Sequence, residues 1–286
     1  MVGTPIGNLE DLSARALATL RRAALVACED TRVTRAILVR HGLDVPLLSC
    51  HRFNERLRAR RILEVLEGGG DVALLSDSGT PGVSDPGAAV VAAAHAAGFR
   101  VAPVPGPTAA AALFSVSGLE GPFTFVGFLP ARTGERRRAI ERLRSEPRSL
   151  VLYESPHRII RMLRDAAEIL GDRVAILGRE LTKVHEEVRH GTLGELAAAV
   201  ERREPRGEFT LVIAPPGPAA GASGPEAEGD LEAAVEEVRA RVAKGEDRKE
   251  SLRHAARAHG VRRRALYARL LGKNAARGDA GNDEEE

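Results

Sequence analysis

Ser76-Asp77-Ser78-Gly79-Thr80-Pro81-Gly82-Val83-Ser84-Asp85-Pro86-Gly87 is the stretch that decides the fold. The apolar run Val72–Leu75 before it reads as a buried strand. The alanine- and valine-rich stretch after it reads as a helix that starts at Pro86, a favoured first-turn residue, and ends at Gly98. In an α/β sheet such a loop occupies the crevice outside the carboxyl end of a strand, where ligands bind. Its glycines let backbone approach a ligand closely, and its prolines hold one shape. A plain connector is usually shorter.

Two other segments are equally rich in glycine and proline. They are Thr4-Pro5-Ile6-Gly7-Asn8, and Pro103-Val104-Pro105-Gly106-Pro107-Thr108 after an expected strand at Val101–Val104. Three such loops suggest one pocket assembled from strand ends. None fits G-x-G-x-x-G or G-x-x-x-x-G-K-[ST], so neither a dinucleotide fold nor a P-loop is indicated. The loops carry few charges, and recognition by backbone amides and carbonyls suits a small zwitterionic or cationic cofactor better than a triphosphate.

Further strands are expected at Thr124–Phe128, Leu150–Tyr153, Val174–Leu177 and Thr210–Ala214, with helices over Ser13–Ala24 and Asn54–Glu67. Alternation of this kind argues layered α/β architecture. The loops change character around Gly118–Pro122, which divides an N-terminal α/β domain (1–118) from a second α/β domain (119–216). The Pro, Gly, Ala, Ser and Glu run from Pro215 to Gly229 reads as a linker, centred on 217–229. Beyond it, apolar residues return at helical spacing: Leu231, Ala234, Val235, Val238 and Val242, then Leu252, Ala255 and Ala256. A glycine-containing turn and the basic run at Arg262, Arg263 and Arg264 follow. This module, 230–272, resembles a helix-turn-helix. A helical dimerisation module with an arginine face reads almost as well. The acidic end, 273–286, reads as disordered.

The 286 residues, 43% of them hydrophobic, suffice for two compact domains. No apolar run is long enough to span a bilayer, and the N-terminus lacks the pattern of a signal peptide. Cys28 and Cys50 lack zinc or disulfide spacing and read as reduced core thiols, so a cytoplasmic protein without metal is expected. The net charge of +2 hides a basic excess at Arg136-Arg137-Arg138, Arg158, Arg161, Arg164 and the C-terminal arginines. That excess suits a polyanionic partner, although solvated helix faces would look the same.

T-P-I-G-N-L (4–9), C-E-D-T-R (28–32), the quoted stretch, P-V-P-G-P-T-A (103–109), Y-E-S-P-H-R (153–158) and G-R-E-L-T-K (178–183) occur in one order. Together they resemble the tetrapyrrole methylase family, in its branch acting on ribosomal RNA, over about Val2 to Ala214. Departures are Ser78, where the family usually carries alanine, and the start at Met1-Val2-Gly3, where the family usually has a few more apolar residues: either the start is assigned too late or the first strand is very short. The resemblance implies two α/β domains with S-adenosylmethionine in the cleft between them, and a homodimer. It also implies transfer of a methyl group to the 2′-hydroxyl of a cytidine ribose in 16S rRNA of the small ribosomal subunit. A methylase acting on a small tetrapyrrole of the uroporphyrinogen type, or a non-catalytic RNA-binding protein on the same fold, are the alternatives.

Carried over residue by residue, the resemblance implies cofactor contacts from Ile6, Asp77, Thr80, Val83, Thr108, Ala109, Tyr153 and Gly178. Methyl transfer needs donor and acceptor aligned and a proton removed from the hydroxyl. Asp85, Glu154, His157 and Lys183 are candidates near the acceptor. Asp85 could equally cap the following helix, His157 hold a helix start, and Lys183 pair with Glu180. Arg32, Arg158, Arg262 and Arg263 suit phosphate contacts, because the guanidinium fork binds phosphate in a bidentate way. Surface ion pairing is their alternative.

Overall fold

A computed structural model of the chain describes residues 1–202, 204–216, 231–259, 261, 266, 269 and 270. Two compact units are present, Met1–Gly217 and Pro218–Glu286. The strands are β1 (Leu25–Cys28), β2 (Leu47–Ser49), β3 (Val72–Leu74), β4 (Phe123–Phe128), β5 (Ser149–Glu154), β6 (Val174–Arg179), β7 (Glu187–Thr192) and β8 (Phe209–Ile213). The helices of the first unit are α1 (Ala14–Arg22), α2 (Thr31–Arg40), α3 (Glu55–Glu67), α4 (Ala88–Ala96), α5 (Ala109–Ser115), α6 (Thr133–Arg142), α7 (Ile159–Leu170) and α8 (Leu193–Glu201).

The first sheet is parallel, in the order β2-β1-β3. All four residues of the central β1 are buried, the apolar run expected of a strand covered on both faces. Val26 and Cys28 pack with Ala16 and Leu20 of α1 and Ile37 and Leu38 of α2. Leu25 and Ala27 pack on the other face with Ala59 and Ile62 of α3 and Val90 of α4. Beyond β3 the sheet continues as single bridges, Val2 to Leu75 and Val2 to Val104. The expected strand at Val101–Val104 is therefore corrected. Only Val104 pairs, because the neighbouring segment Met1–Thr4 meets it over one bridge: Val104 N–H donates to the Met1 carbonyl and Gly3 N–H to that of Val104.

The second sheet runs β4-β5-β8-β6-β7, with β4 and β5 parallel and the other neighbours antiparallel. Its strands alternate with period two. Leu150 and Leu152 of β5, Leu177 of β6, and Leu211 and Ile213 of β8 face a core that includes Ile140 of α6, Ile159, Met162 and Leu163 of α7, and Leu193 and Leu196 of α8. Val151, Ile176 and Val212 face the other way, toward Ala110 and Leu113 of α5. So α5, which precedes the second sheet in sequence, packs on it and locks the two halves of the first unit together. Thr192 and Glu195 form a reciprocal capping box on α8, worth about 1 kcal/mol. Cys28 and Cys50 are buried free thiols.

The helix expected from Pro86 begins later, at Ala88, with Gly87 as its N-cap at φ 132°. The Gly87 N–H donates to Glu55 Oε2 of α3 at 2.8 Å. Asp85 is thus not the cap, because a carboxylate on a different helix satisfies that terminus.

In the second unit, α9 (Leu231–Ala243) and α10 (Arg248–Ala258) pack through Ala234, Val235, Val238, Leu252 and Ala255, joined by Leu266. Glu237 ties them, with Oε1 3.0 Å from His254 Nδ1 and Oε2 2.7 Å from His259 Nε2. The linker at 217–229, Arg262 and Arg263, and the acidic end at 273–286 lie outside the described residues. Among the described residues no helix is long and apolar enough to cross a membrane.

Candidate active site

The loop Ser76–Gly87 is held by the N-terminal segment. Thr4 N–H donates to the Gly79 carbonyl at 2.8 Å, and Gly79 N–H returns the bond to Thr4 at 3.2 Å. The buried Thr4 hydroxyl lies 3.1 Å from the Ser76 carbonyl and 3.2 Å from that of Gly79. The third loop joins them. Thr80 Oγ1 donates to the Pro107 carbonyl at 3.4 Å, and Thr108 caps α5 by accepting the Ala111 N–H at 3.2 Å. The three glycine- and proline-rich segments thus form one hydrogen-bonded assembly.

Between that assembly and the second sheet lies a cavity of about 310 Å³. Ile6, Ser78, Gly79, Thr80, Val83, Ser84, Asp85, Thr108 and Ala109 line it from the first half. Phe128, Tyr153, Glu154, Ser155, Pro156, Glu208, Phe209 and Thr210 line it from the second. Its size falls within the range of small-molecule sites. Tyr153 is anchored by accepting the Ala110 N–H at 3.2 Å, and its ring meets Phe125 and Phe128 edge-on at 5.1 and 5.6 Å.

The charged groups that line the cavity are all acidic: Asp85, Glu154 and Glu208. Burial, followed by the nearby Glu29 carboxylate, pushes the Asp85 carboxyl up to about 6, with the Ser76 hydroxyl opposing. Burial also pushes the Tyr153 phenol up. Glu154, 2% exposed, accepts the Ser155 N–H at 2.7 Å and an Arg158 Nη2 bond at 3.0 Å. Asp85, Glu154 and Glu208 place carboxylates on the cavity, Glu154 paired with Arg158 and Glu208 with Lys183, while Ile6, Val83, Phe128 and Phe209 supply apolar walls.

Of the residues singled out from sequence, Ile6, Thr80, Val83, Asp85, Thr108, Ala109, Tyr153 and Glu154 line the cavity. Asp77, Gly178, His157 and Lys183 do not. Asp77 Oδ1 accepts the Asp30 N–H at 2.8 Å, fastening the end of β1 to the loop after β3. A Cβ on Gly178 would lie 2.9 Å from Leu113, so that glycine admits α5 onto the sheet. His157 is exposed ahead of α7. Lys183 reaches Glu180 at 2.8 Å and Glu208 at 2.9 Å. Burial presses the Lys183 pKa down, but these carboxylates outweigh it and the pKa stands above the usual value. Arg32 is exposed and paired with Asp30 at 2.6 Å. Arg158 turns inward, donating through Nη2 to the Leu129 carbonyl and to Glu154. It positions Glu154 rather than offering a free fork to phosphate.

Phe128, Ser155, Pro156, Glu208, Phe209 and Thr210 escaped the sequence reading. Phe128 ends β4, parallel to β5, so the strand-end rule that selected Tyr153 and Glu154 also points to it. Gly127 before it has φ 70°, and a Cβ there would lie 2.9 Å from Ser84 Oγ. Glu208–Thr210 lie at the start of β8. They reach the same edge because β8 runs antiparallel to β5.

Residues 1–197 match the tetrapyrrole (corrin/porphyrin) methylases. A protein of Xylella fastidiosa named ribosomal RNA small subunit methyltransferase I is 49% identical over 217 residues, covering 74% of this chain and 80% of its own. Its namesake in Pseudomonas aeruginosa is 42% identical over 275 residues, covering 95% of each. A Thermotoga maritima protein of the same name is 44% identical over 214 residues, 74% of this chain but 96% of its own length. Among solved structures, the methyltransferase CobJ superposes with a TM-score of 0.57 at 21% identity, over 74% of this chain and 91% of that one. The fold is shared.

Proposed function

The chain belongs to the tetrapyrrole methylase family, and from that premise we propose that it transfers a methyl group from S-adenosylmethionine to the 2′-hydroxyl of a cytidine ribose in 16S rRNA. The observation that carries this reading is the strand-end cavity of about 310 Å³, lined from both halves by carboxylates and apolar side chains. S-adenosylmethionine supplies an electrophilic methyl group on a sulfonium centre. Gly79, Thr80, Thr108 and Ala109 would hold it through backbone groups and hydroxyls, with Ile6 and Val83 packed against it. Asp85, Glu154 and Glu208 favour its positive charge. Tyr153, fixed by Ala110, shapes the wall opposite the loops.

The acceptor hydroxyl loses its proton as the oxygen attacks. Asp85 is our candidate to take it: the carboxyl lines the cavity, and a value near 6 makes it a better base than an ordinary aspartate while leaving it ionised at neutral pH. Lys183, held protonated by Glu180 and Glu208, is not a base. Its part is to fix Glu208 at the cavity wall.

The enzyme works in the cytoplasm as a homodimer. The aromatic edge of β4, where Phe123 and Phe125 remain exposed, supports self-association. The Thermotoga relative, matched over nearly its whole length by three quarters of this chain, supports placing the chemistry in the first unit; added affinity for RNA is the part we give the C-terminal unit. Methyl transfer to small ribosomal subunits, naked 16S rRNA and uroporphyrinogen, compared side by side, tests the reading. Label on 16S rRNA is expected, and label on the porphyrinogen alone would overturn it.

A further inference from the structure

Phe53 is 94% exposed in a chain whose aromatic content is only 3%. It sits in the turn after β2, at the same edge of the parallel sheet as the ends of β1 and β3. The turn is closed by hydrogen bonds. His51 N–H donates to Asn54 Oδ1 at 2.8 Å, Asn54 Nδ2 to the Ser49 carbonyl at 3.3 Å, and Asn54 N–H to the His51 carbonyl at 2.9 Å. Phe53 N–H lies 3.3 Å from His51 Nδ1, and the two rings meet edge-on at 6.1 Å. A large apolar ring is thus presented to solvent on a fixed turn, with little ordering left to be done on contact.

Its surroundings are basic. Arg52 and Arg56 flank it, both exposed and neither with an ion-pair partner among the described residues. The nearest carboxylate in sequence, Glu55, is turned inward onto the Gly87 amide. Leu57 is exposed beside them on the first turn of α3. The same Glu55 bond ties this surface to the loop that lines the cavity.

We infer that Arg52, Phe53 and Arg56 receive a single-stranded RNA segment next to the acceptor nucleotide, Phe53 stacking on a base and the two arginines meeting adjacent phosphates. This rests on RNA being the substrate. Unpaired guanidiniums bracketing a bare aromatic ring match a chain that alternates flat bases with phosphates. A protein partner would place no such demand on the charges.

The test is steady-state methylation of unmodified small ribosomal subunits by the full chain and its variants. Phe53→Ala should raise KM for the subunits on the order of tenfold, with kcat and S-adenosylmethionine affinity unchanged. Phe53→Trp should restore it. The double variant Arg52→Ala, Arg56→Ala should flatten the dependence of log KM on log salt by about 1.4, two phosphates at about 0.7 each. An unaltered KM for Phe53→Ala overturns the inference while leaving the proposed function intact. A change in KM that tracks loss of a dimer in sedimentation also overturns it, marking the surface as a contact between copies. Absence of methylation by the unaltered chain overturns the underlying function itself.

Discussion

Asp85 illustrates how one side chain acquires a role from its surroundings. The sequence Asp-Pro-Gly invites a helix-cap reading, yet Glu55 serves the helix end and Asp85 is left facing the cavity. Asp85→Asn should cut methyl transfer far more than it weakens S-adenosylmethionine binding, from which it removes one of three carboxylates; full activity in the variant would refute its role as proton acceptor. The raised pKa also has a stability consequence. The fold favours the neutral acid, so ionisation costs stability. That cost is absent below the unfolded value of 3.8, grows as pH rises toward about 6, and is fully present above it. Asp85→Asn should therefore raise the Tm at pH 8 and raise it progressively less toward pH 4. An equal shift at both pH values would show that the carboxyl is not perturbed.

At the scale of elements, the loops depend on close contacts that a methyl group breaks. A Cβ on Gly3 would lie 2.6 Å from the Gly106 backbone, so Gly3→Ala must part the first segment from the third loop. A loss of about 1–3 kcal/mol in urea unfolding is expected, with weaker cofactor binding. Glu55→Ala removes the partner of the Gly87 amide and should cost about 1–3 kcal/mol, with faster amide exchange across Ser76–Gly87. Uniform exchange in the two proteins would contradict that coupling. The elements legible in sequence were those with strong apolar runs, such as β3, β5, β6 and β8, and the loops whose glycines and prolines stand out. The strand β7, Glu187–Thr192, has no buried run and draws its pairing from β6, so no local signal announces it. Val101–Val104 has the apolar signal but too little partner to form a ladder. Part of the cavity lining was hidden for a related reason: Glu208–Thr210 enter through an antiparallel strand start, which no rule about strand ends anticipates.

For the whole molecule, the two units invite separate assignments. A chain ending at Pro216 retains all of the cavity lining and should bind S-adenosylmethionine as the full chain does, with weaker affinity for small ribosomal subunits. Unchanged subunit affinity in the truncated protein would remove the RNA-binding role from the C-terminal helices. Calorimetric titration of S-adenosylmethionine into the full chain and into Ala109→Trp, which fills the cavity beside Thr108 and Tyr153, tests the central claim most directly. Saturable binding to the full chain, lost in a variant that keeps its circular dichroism, is the expected result. Binding that survives the filled cavity, or no binding to either protein, would contradict it.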